Sequence, residues 1–296
     1  MKDYNAEMPA IRALIDSVPE GDGLTPFGEK TIPPAENGLI IFSEKSPAPE
    51  ALRRLDGEIQ KILDDGHRVS MIAVHLASRS GVAFRPDAVM CTQSTVKAIY
   101  VGALLESCPG ALAEQRERIR ETIVLSSNEA YESLRDLYGT EVIRAWCRET
   151  GVTEGFADLP YPRAYCARDL LKLWTRLFCF LNGGSEEAAG VGGYFEHSAL
   201  SAARERLGGR CRVQTKAGWE NGVGDDVTDF AHTAIPKRFT DGDPLNDECA
   251  TNDSGIVYAA NGPYLFVIYS DYPCPWTGGN RLAGLTDALY DYLEKL

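Results

Sequence analysis

The sequence lacks long hydrophobic runs, and no segment approaches the roughly 18 consecutive apolar residues typical of a membrane-spanning helix. Residues 1–22 contain no run of about 7–15 apolar residues, so no secretory signal peptide is predicted there. Histidine occurs only 4 times, without zinc-ligand spacing. The 8 cysteines include no C-x-x-C pair, which disfavours zinc and thioredoxin-like chemistry. We expect mostly free thiols, because a chain of this length needs no disulfides to fold.

Positive charge is also in short supply. Lys and Arg total 30 against 43 Asp and Glu, which gives a formal net charge of −13. Such a surface repels phosphate backbones and anionic membranes, so neither a nucleic acid nor a membrane is a predicted partner. The 44% hydrophobic and 25% charged content is ordinary for a globular chain, and 296 residues allow one large or two small domains.

The N-terminal 48 residues are rich in Pro and Gly, which predicts an extended arm with a short strand at about 38–43. Apolar periodicity and turn residues predict the elements that follow. Helices are expected at about 49–65, 95–107, 112–124, 127–138, 140–150, 164–182, 195–207 and 280–296. Strands are expected at about 69–77, 82–85, 211–215, 255–260 and 264–270, the last two joined by Asn261-Gly262. Two Gly pairs, 183–184 and 192–193, are expected to bracket a loop.

Strands lie on both sides of a helical block, and they must share one sheet because two-stranded pieces are marginal alone. The sequence therefore predicts an α+β fold, with an antiparallel five-stranded sheet flanked by terminal helices and an inserted all-helical subdomain. The predicted boundaries are an arm at 1–48, a sheet subdomain at 49–86 and 210–296, and a helical subdomain at 87–209.

Three short motifs occur in order along the chain: S-x-x-K at 94–97, S-x-N at 126–128 and K-x-G at 216–218. A serine hydroxyl is a poor nucleophile until a base takes its proton. A lysine one helical turn later lies on the same face, and burial near other cations lowers its pKa enough for it to act as that base. Ser94 opens a predicted helix, whose N-terminal N–H groups favour developing negative charge.

The motifs and their surrounding segments resemble the serine β-lactamase and penicillin-binding D,D-peptidase superfamily, and class A β-lactamases in particular. The resemblance covers about residues 50–296. Two segments carry the resemblance around the first two motifs. The hairpin and nucleophile helix of a class A enzyme are similar to RVSMIAVHLASRSGVAFRPDAVMCTQSTVKAIYVGALLE. The helix pair around S-x-N is similar to IRETIVLSSNEAYESLRDLYG. YCARDLLKLW is similar to the segment after the active-site loop, and CRVQTKAGW and TNDSGIVYAANGPYLFVIYSD are similar to the last three strands.

The resemblance implies a β-lactamase/transpeptidase-like fold and a catalytic set of four residues. Ser94 would be the acylated nucleophile and Lys97 its general base, while Ser126 would carry the proton to the leaving nitrogen. Lys216 would attract a substrate carboxylate and tune Ser126. Asn128 would hold the substrate amide. No cofactor and no metal are implied.

The strand after the third motif would supply the rest of the binding site. The oxyanion hole would come from the N–H groups of Ser94 and Trp219, and Gly218 would let substrate lie against the strand edge. Ala217 stands where the family has Thr or Ser, whose hydroxyl binds the substrate carboxylate. Either β-lactam recognition is weak, or the substrate lacks that carboxylate.

Further departures concern the walls of the site. The loop GVTEGFADLPYPRAY offers only Glu154 and Asp158, neither in the family's E-x-x-x-N pattern, so slow hydrolysis of the acyl-enzyme is expected. Ser126 follows Ser94 by only 32 positions, which predicts a more open cleft. The acidic stretch 225–253 is interpreted as a solvated loop overhanging the site rather than a calcium site.

The favoured function is a serine acyl-transfer hydrolase of the D,D-peptidase type, acting on a β-lactam-like or D-Ala-D-Ala-like amide, either small molecule or peptide. The alternatives are a class A-like β-lactamase with an unusual deacylation route, a catalytically degenerate binding or sensing relative, and another S-x-x-K hydrolase such as a glutaminase or esterase. The family's substrates predict an extracytoplasmic protein, whereas the absence of a signal peptide predicts a cytoplasmic one.

Overall fold

The computed structural model describes residues 5–19, 38–42, 49–162, 165–221, 249–272 and 282–296. Its helices are α1 (Met8–Ser17), α2 (Pro49–Asp64), α3 (Val96–Ser107), α4 (Ala111–Glu114), α5 (Arg116–Arg120), α6 (Asn128–Tyr138), α7 (Glu141–Thr150), α8 (Ala167–Leu181), α9 (Glu186–Phe195), α10 (Ala202–Leu207) and α11 (Ala283–Leu293). Its strands are β1 (Leu39–Phe42), β2 (Val69–His75), β3 (Ser80–Phe84), β4 (Arg212–Thr215), β5 (Gly218–Asn221), β6 (Cys249–Ala259) and β7 (Gly262–Ser270).

The strands from both sides of the helical block form one antiparallel sheet, in the order β1-β3-β2-β7-β6-β4, with β5 also paired to β6. The predicted α+β class and the shared sheet are confirmed. The described sheet has seven strands rather than five, because β1 covers the edge of β3 and β5 extends the sheet after β4. Strand β6 is 11 residues long, so its first half pairs with β5 and its second half with β4.

The sheet is buried on both faces, and alternation along each strand divides its side chains between two cores. On β2, Ile72 and Val74 pack in the core that holds α3, α7 and α8. Met71 and Ala73 pack in the opposite core, with α2, α10 and α11. The nucleophile segment and the S-x-N segment therefore belong to the helical side, and the K-x-G segment belongs to the sheet.

The expected extended arm at 1–48 is in part a helix. Pro9 stands in the first turn of α1, where the missing N–H costs nothing, and Ile11 and Ile15 are fully buried. Arg168 of α8 donates to the Pro19 carbonyl (3.1 Å) and anchors the end of this segment. The expected strand near 38–43 is present as β1.

The expectation of a loop between the two Gly pairs was wrong, since residues 186–195 form α9. Ser185 caps the helix by accepting from the Ala188 N–H (3.1 Å). A Cβ at Gly190 would lie 2.6 Å from Leu112 Cδ2, so close packing favours glycine inside this helix. The helix expected at 195–207 is limited to α10, and the one expected at 112–124 is divided into α4, α5 and the π turn Glu121–Leu125.

Within the described residues, no helix is both long and apolar enough to cross a bilayer. The described cysteine side chains are free thiols: Cys91, Cys108, Cys147, Cys166, Cys179 and Cys211. Most of the acidic stretch 225–253, with the calcium alternative considered there, lies outside the described residues.

Candidate active site

The nucleophile candidate lies in a tight turn that leads into a buried helix. Ser94 is the central residue of the 3-10 turn Gln93–Thr95, and it is partly exposed. Gln93, just before it, has a φ of 47°, a conformation uncommon for residues other than glycine. Lys97 follows in the first turn of α3 and is fully buried, as are most residues of that helix.

The S-x-N segment takes its shape from two consecutive serines. Ser126 ends the π turn Glu121–Leu125 with a φ of 61°, a left-handed conformation that reverses the chain. Ser127 then caps α6, because its hydroxyl accepts from the Ala130 N–H (3.1 Å). Asn128 is consequently the first residue of α6.

Two buried lysines converge on Ser126. Lys97 Nζ donates to the Ser126 carbonyl oxygen (2.5 Å) and to Asn128 Oδ1 (2.6 Å), and lies 3.5 Å from Ser126 Oγ. Lys216 Nζ donates to Ser126 Oγ (2.8 Å) and to the Ala217 carbonyl oxygen (2.7 Å). The structure thus brings Lys97, Ser126, Asn128 and Lys216 into one hydrogen-bonded cluster.

Strand β5 lies directly against the nucleophile turn. A Cβ at Gly218 would lie 2.7 Å from the Ser94 backbone nitrogen and 3.0 Å from that of Thr95. Trp219 is next on β5, and its ring lies 5.5 Å from Lys216 Nζ. Ala217 is buried, and its N–H donates to Ser198 Oγ (3.3 Å). The backbones at Ser94 and Gly218 are thus in contact, as a shared oxyanion hole requires.

Burial sets the protonation states in the cluster. Desolvation, together with the nearby charge of Lys216, holds the pKa of Lys97 well below its usual value. Burial lowers the pKa of Lys216 to about 7, against the opposing effect of Asp253. A cluster with lysines of this kind can hold a neutral amine near pH 7, which is the form that accepts a proton.

The interpretation of the stretch 225–253 as a solvated loop was wrong for its last residue, Asp253, which is a fully buried carboxylate on β6. It accepts hydrogen bonds from the Ser201 hydroxyl (2.9 Å) and the Ala203 N–H (2.9 Å) at the start of α10. Burial raises its pKa to about 6, although these bonds and Lys216 oppose the shift. Nothing in the TNDSG string distinguishes this carboxylate from an exposed one.

Two tyrosines that sequence reasoning also missed line Lys97. Its ammonium lies 5.6 Å from the Tyr131 ring centre and 5.5 Å from that of Tyr161. Tyr131 comes three residues after Asn128 on α6, a spacing that places both on one helix face. This spacing from Asn128 is the sequence signal that could have identified Tyr131. Tyr161 lies in a loop, where no such spacing points to it.

The two loop carboxylates lie on the exterior. Glu154 pairs with Arg148 (2.7 Å), and Asp158 pairs with Arg144. Their side chains are 43% and 56% exposed, so they are solvated acids bound to α7. Among the described residues, no cluster of His, Cys, Asp and Glu has the arrangement of a metal site.

With this geometry in place, comparison with known proteins identifies the family. Residues 108–293, more than half of the chain, match the model of the beta-lactamase enzyme family. The chain belongs to this family. The matched range includes Ser126, Asn128 and Lys216, and it begins after Ser94 and Lys97. As a member of the beta-lactamase enzyme family, the protein is a serine hydrolase.

Solved structures of β-lactamases share its fold. The TLA-3 extended-spectrum β-lactamase is 15% identical, with a TM-score of 0.57 over 82% of this chain and 99% of that one. A β-lactamase from Streptosporangium roseum is 16% identical, with a TM-score of 0.58 over 84% and 100%. A mutant of PBP-A, in an acyl-enzyme complex with penicillin G, is 15% identical, with a TM-score of 0.58 over 83% and 97%. No curated protein matches the chain.

Proposed function

We propose that this β-lactamase-family hydrolase works through an acyl-enzyme on Ser94 and takes D,D-peptidase-like amide substrates, with slow deacylation. The observation that carries the proposal is the convergence of Lys97 and Lys216 on Ser126, beside the turn that holds Ser94. Such a cluster can move a proton from a serine nucleophile to a leaving nitrogen. The outward-facing Glu154 and Asp158 support slow deacylation.

In acylation, Ser94 Oγ attacks the amide carbonyl carbon, and its proton passes to the neutral amine of Lys97. The oxyanion is held by the Ser94 and Trp219 N–H groups. As the C–N bond breaks, Ser126 gives its hydroxyl proton to the leaving nitrogen and takes one from Lys97. Protonated Lys216 lowers the energy of negative charge on Ser126 and attracts the substrate carboxylate.

β-Lactam hydrolysis is the second candidate, and the family match favours it. It shares the acyl-enzyme on Ser94 with the first candidate, but the substrate is a β-lactam and the acyl-enzyme is hydrolysed rapidly. The intact hydrogen bonding around Ser126 argues against a degenerate binding relative, which has no need for two buried lysines.

Intact-protein mass spectrometry after incubation with penicillin G tests this function. We expect an adduct of the mass of the drug in the wild type and none in Ser94→Ala. A D-Ala-D-Ala peptide, followed by release of D-alanine, tests the peptidase activity. Rapid accumulation of hydrolysed penicillin without D-alanine release would favour the β-lactamase. Neither adduct nor turnover with both substrates would overturn the proposal.

A further inference from the structure

Even the slow hydrolysis proposed for this acyl-enzyme requires a base that activates water, and the loop acids Glu154 and Asp158 are paired with arginines of α7 at the surface. Helix α6 offers another carboxylate. Glu132 lies one turn after Asn128, so helical geometry places both on the same face. Asn128 Oδ1 accepts from Lys97 Nζ at 2.6 Å, which fixes this face of α6 toward the cluster.

Two neighbours of Glu132 on this face of α6 show what the face contacts. Tyr131 packs against the Lys97 ammonium and donates to the Pro160 carbonyl (3.0 Å). Arg135, one turn further, donates to the Ala157 carbonyl (3.0 Å). The stripe from Asn128 to Arg135 thus runs from Lys97 to the 157–160 loop, and half-buried Glu132 lies within it.

The electrostatic interaction between Glu132 and Lys97 is consistent with this position of Glu132 on α6. The charge of Glu132 acts on Lys97 and raises its pKa, against the larger effects of burial and Lys216. Carboxylates in a partly desolvated position beside a lysine are suited to general base catalysis.

We propose that Glu132 is the general base of deacylation, a role that rests on the proposed acyl-enzyme at Ser94. Glu132 takes a proton from water as the water oxygen bonds to the acyl carbon of the Ser94 ester. The bond between that carbon and Ser94 Oγ then breaks. The proton returns to Ser94 Oγ by way of Lys97, so serine, lysine and carboxylate regain their starting forms and the acid product leaves.

The test separates acylation from deacylation. Wild type, Glu132→Gln and Glu129→Gln are acylated with penicillin G, excess drug is removed, and adduct formation and loss are followed by intact mass. Glu129 is exposed on the same helix and serves as the matched control. We expect Glu132→Gln to lose its adduct at least tenfold more slowly while its acylation rate stays within about twofold. Glu129→Gln should match the wild type in both steps.

Other outcomes overturn the proposal in distinguishable ways. Adduct loss from Glu132→Gln at the wild-type rate removes Glu132 from deacylation and leaves the proposed function intact. Equal slowing of both steps indicates a structural role, and Glu132→Asp, which keeps the carboxylate, should restore deacylation only under our proposal. If the wild type forms no adduct on Ser94, the proposed function fails and this role fails with it.

Discussion

Among individual residues, Asp253 has the most direct influence on the charge of the site. Its carboxylate raises the pKa of Lys216 in opposition to burial, and the net result of the two effects is a pKa of about 7. In the proposed mechanism Lys216 attracts a substrate carboxylate only when it is protonated, so acylation is expected to fall as pH rises through about 7.

We predict that Asp253→Asn moves this fall to lower pH, because loss of the negative charge lowers the pKa of Lys216 further. The measurement is the acylation rate with penicillin G between pH 5 and 9. Asp136→Asn, an exposed position on α6, is the control and should leave the profile unchanged. Identical profiles for Asp253→Asn and wild type would contradict the coupling. Circular dichroism checks folding, because Asp253 accepts three hydrogen bonds.

At this scale the sequence analysis named as site candidates the residues that belong to a motif, and it did not name those that do not. Lys97, Ser126, Asn128 and Lys216 belong to motifs with fixed spacings, and their side chains meet in the structure. Asp253 and Glu132 are acids on a strand and a helix, where local sequence does not encode which side faces a buried amine. Tertiary packing alone places them near the lysines.

Among the elements, the contact of β5 with the nucleophile turn depends on glycine. We predict that Gly218→Ala lowers the acylation rate at least a hundredfold, because its Cβ would lie 2.7 Å from a backbone nitrogen that cannot rotate away. Gly193→Ala is the control: it is exposed within α9, and its Cβ meets nothing within 4 Å. Alanine there should raise the free energy of unfolding by about 0.5–1 kcal/mol. Unimpaired acylation in Gly218→Ala would refute the close approach.

Element prediction succeeded where local signals and packing agreed. The β6–β7 hairpin has Asn-Gly at its turn, and its strands pair as expected. Strand β5 was missed because its four residues are too few for a local signal, and within the described residues they pair with the long strand β6. Helix α9 was missed because its glycines are typical of loops. The Ser185 cap and the close contact of Gly190 with Leu112 favour a helix instead.

For the whole molecule, the site lies where the helical core and the sheet meet. Lys97 comes from a buried helix of one side, and Lys216 comes from the segment between β4 and β5. Holding two amines here opposes folding, because unfolding returns both to water. The burial of these two amines therefore has a measurable effect on the stability of the fold.

We predict that this effect appears as a pH dependence of stability. The pKa of Lys97 is well below its usual value in the folded protein, so over the intervening pH range the unfolded chain binds the additional proton. Wild-type stability should therefore rise with pH in that range relative to Lys97→Met, by up to about 1.4 kcal/mol per pH unit for one proton. Urea unfolding of both proteins at pH 7, 8 and 9 measures the difference.

The slope of this stability difference against pH reports the proton bound by Lys97. The hydrogen bonds that Lys97→Met loses to Ser126 and Asn128 shift the difference by an amount that does not depend on pH. Lys295→Met, at an exposed lysine near the C-terminus, removes the same charge and should give no slope relative to wild type. A constant difference between Lys97→Met and wild type across these pH values would mean that Lys97 stays protonated in the folded protein. Lys97 would then be unable to take the proton from Ser94 without first losing its own, and a different base would be needed for acylation.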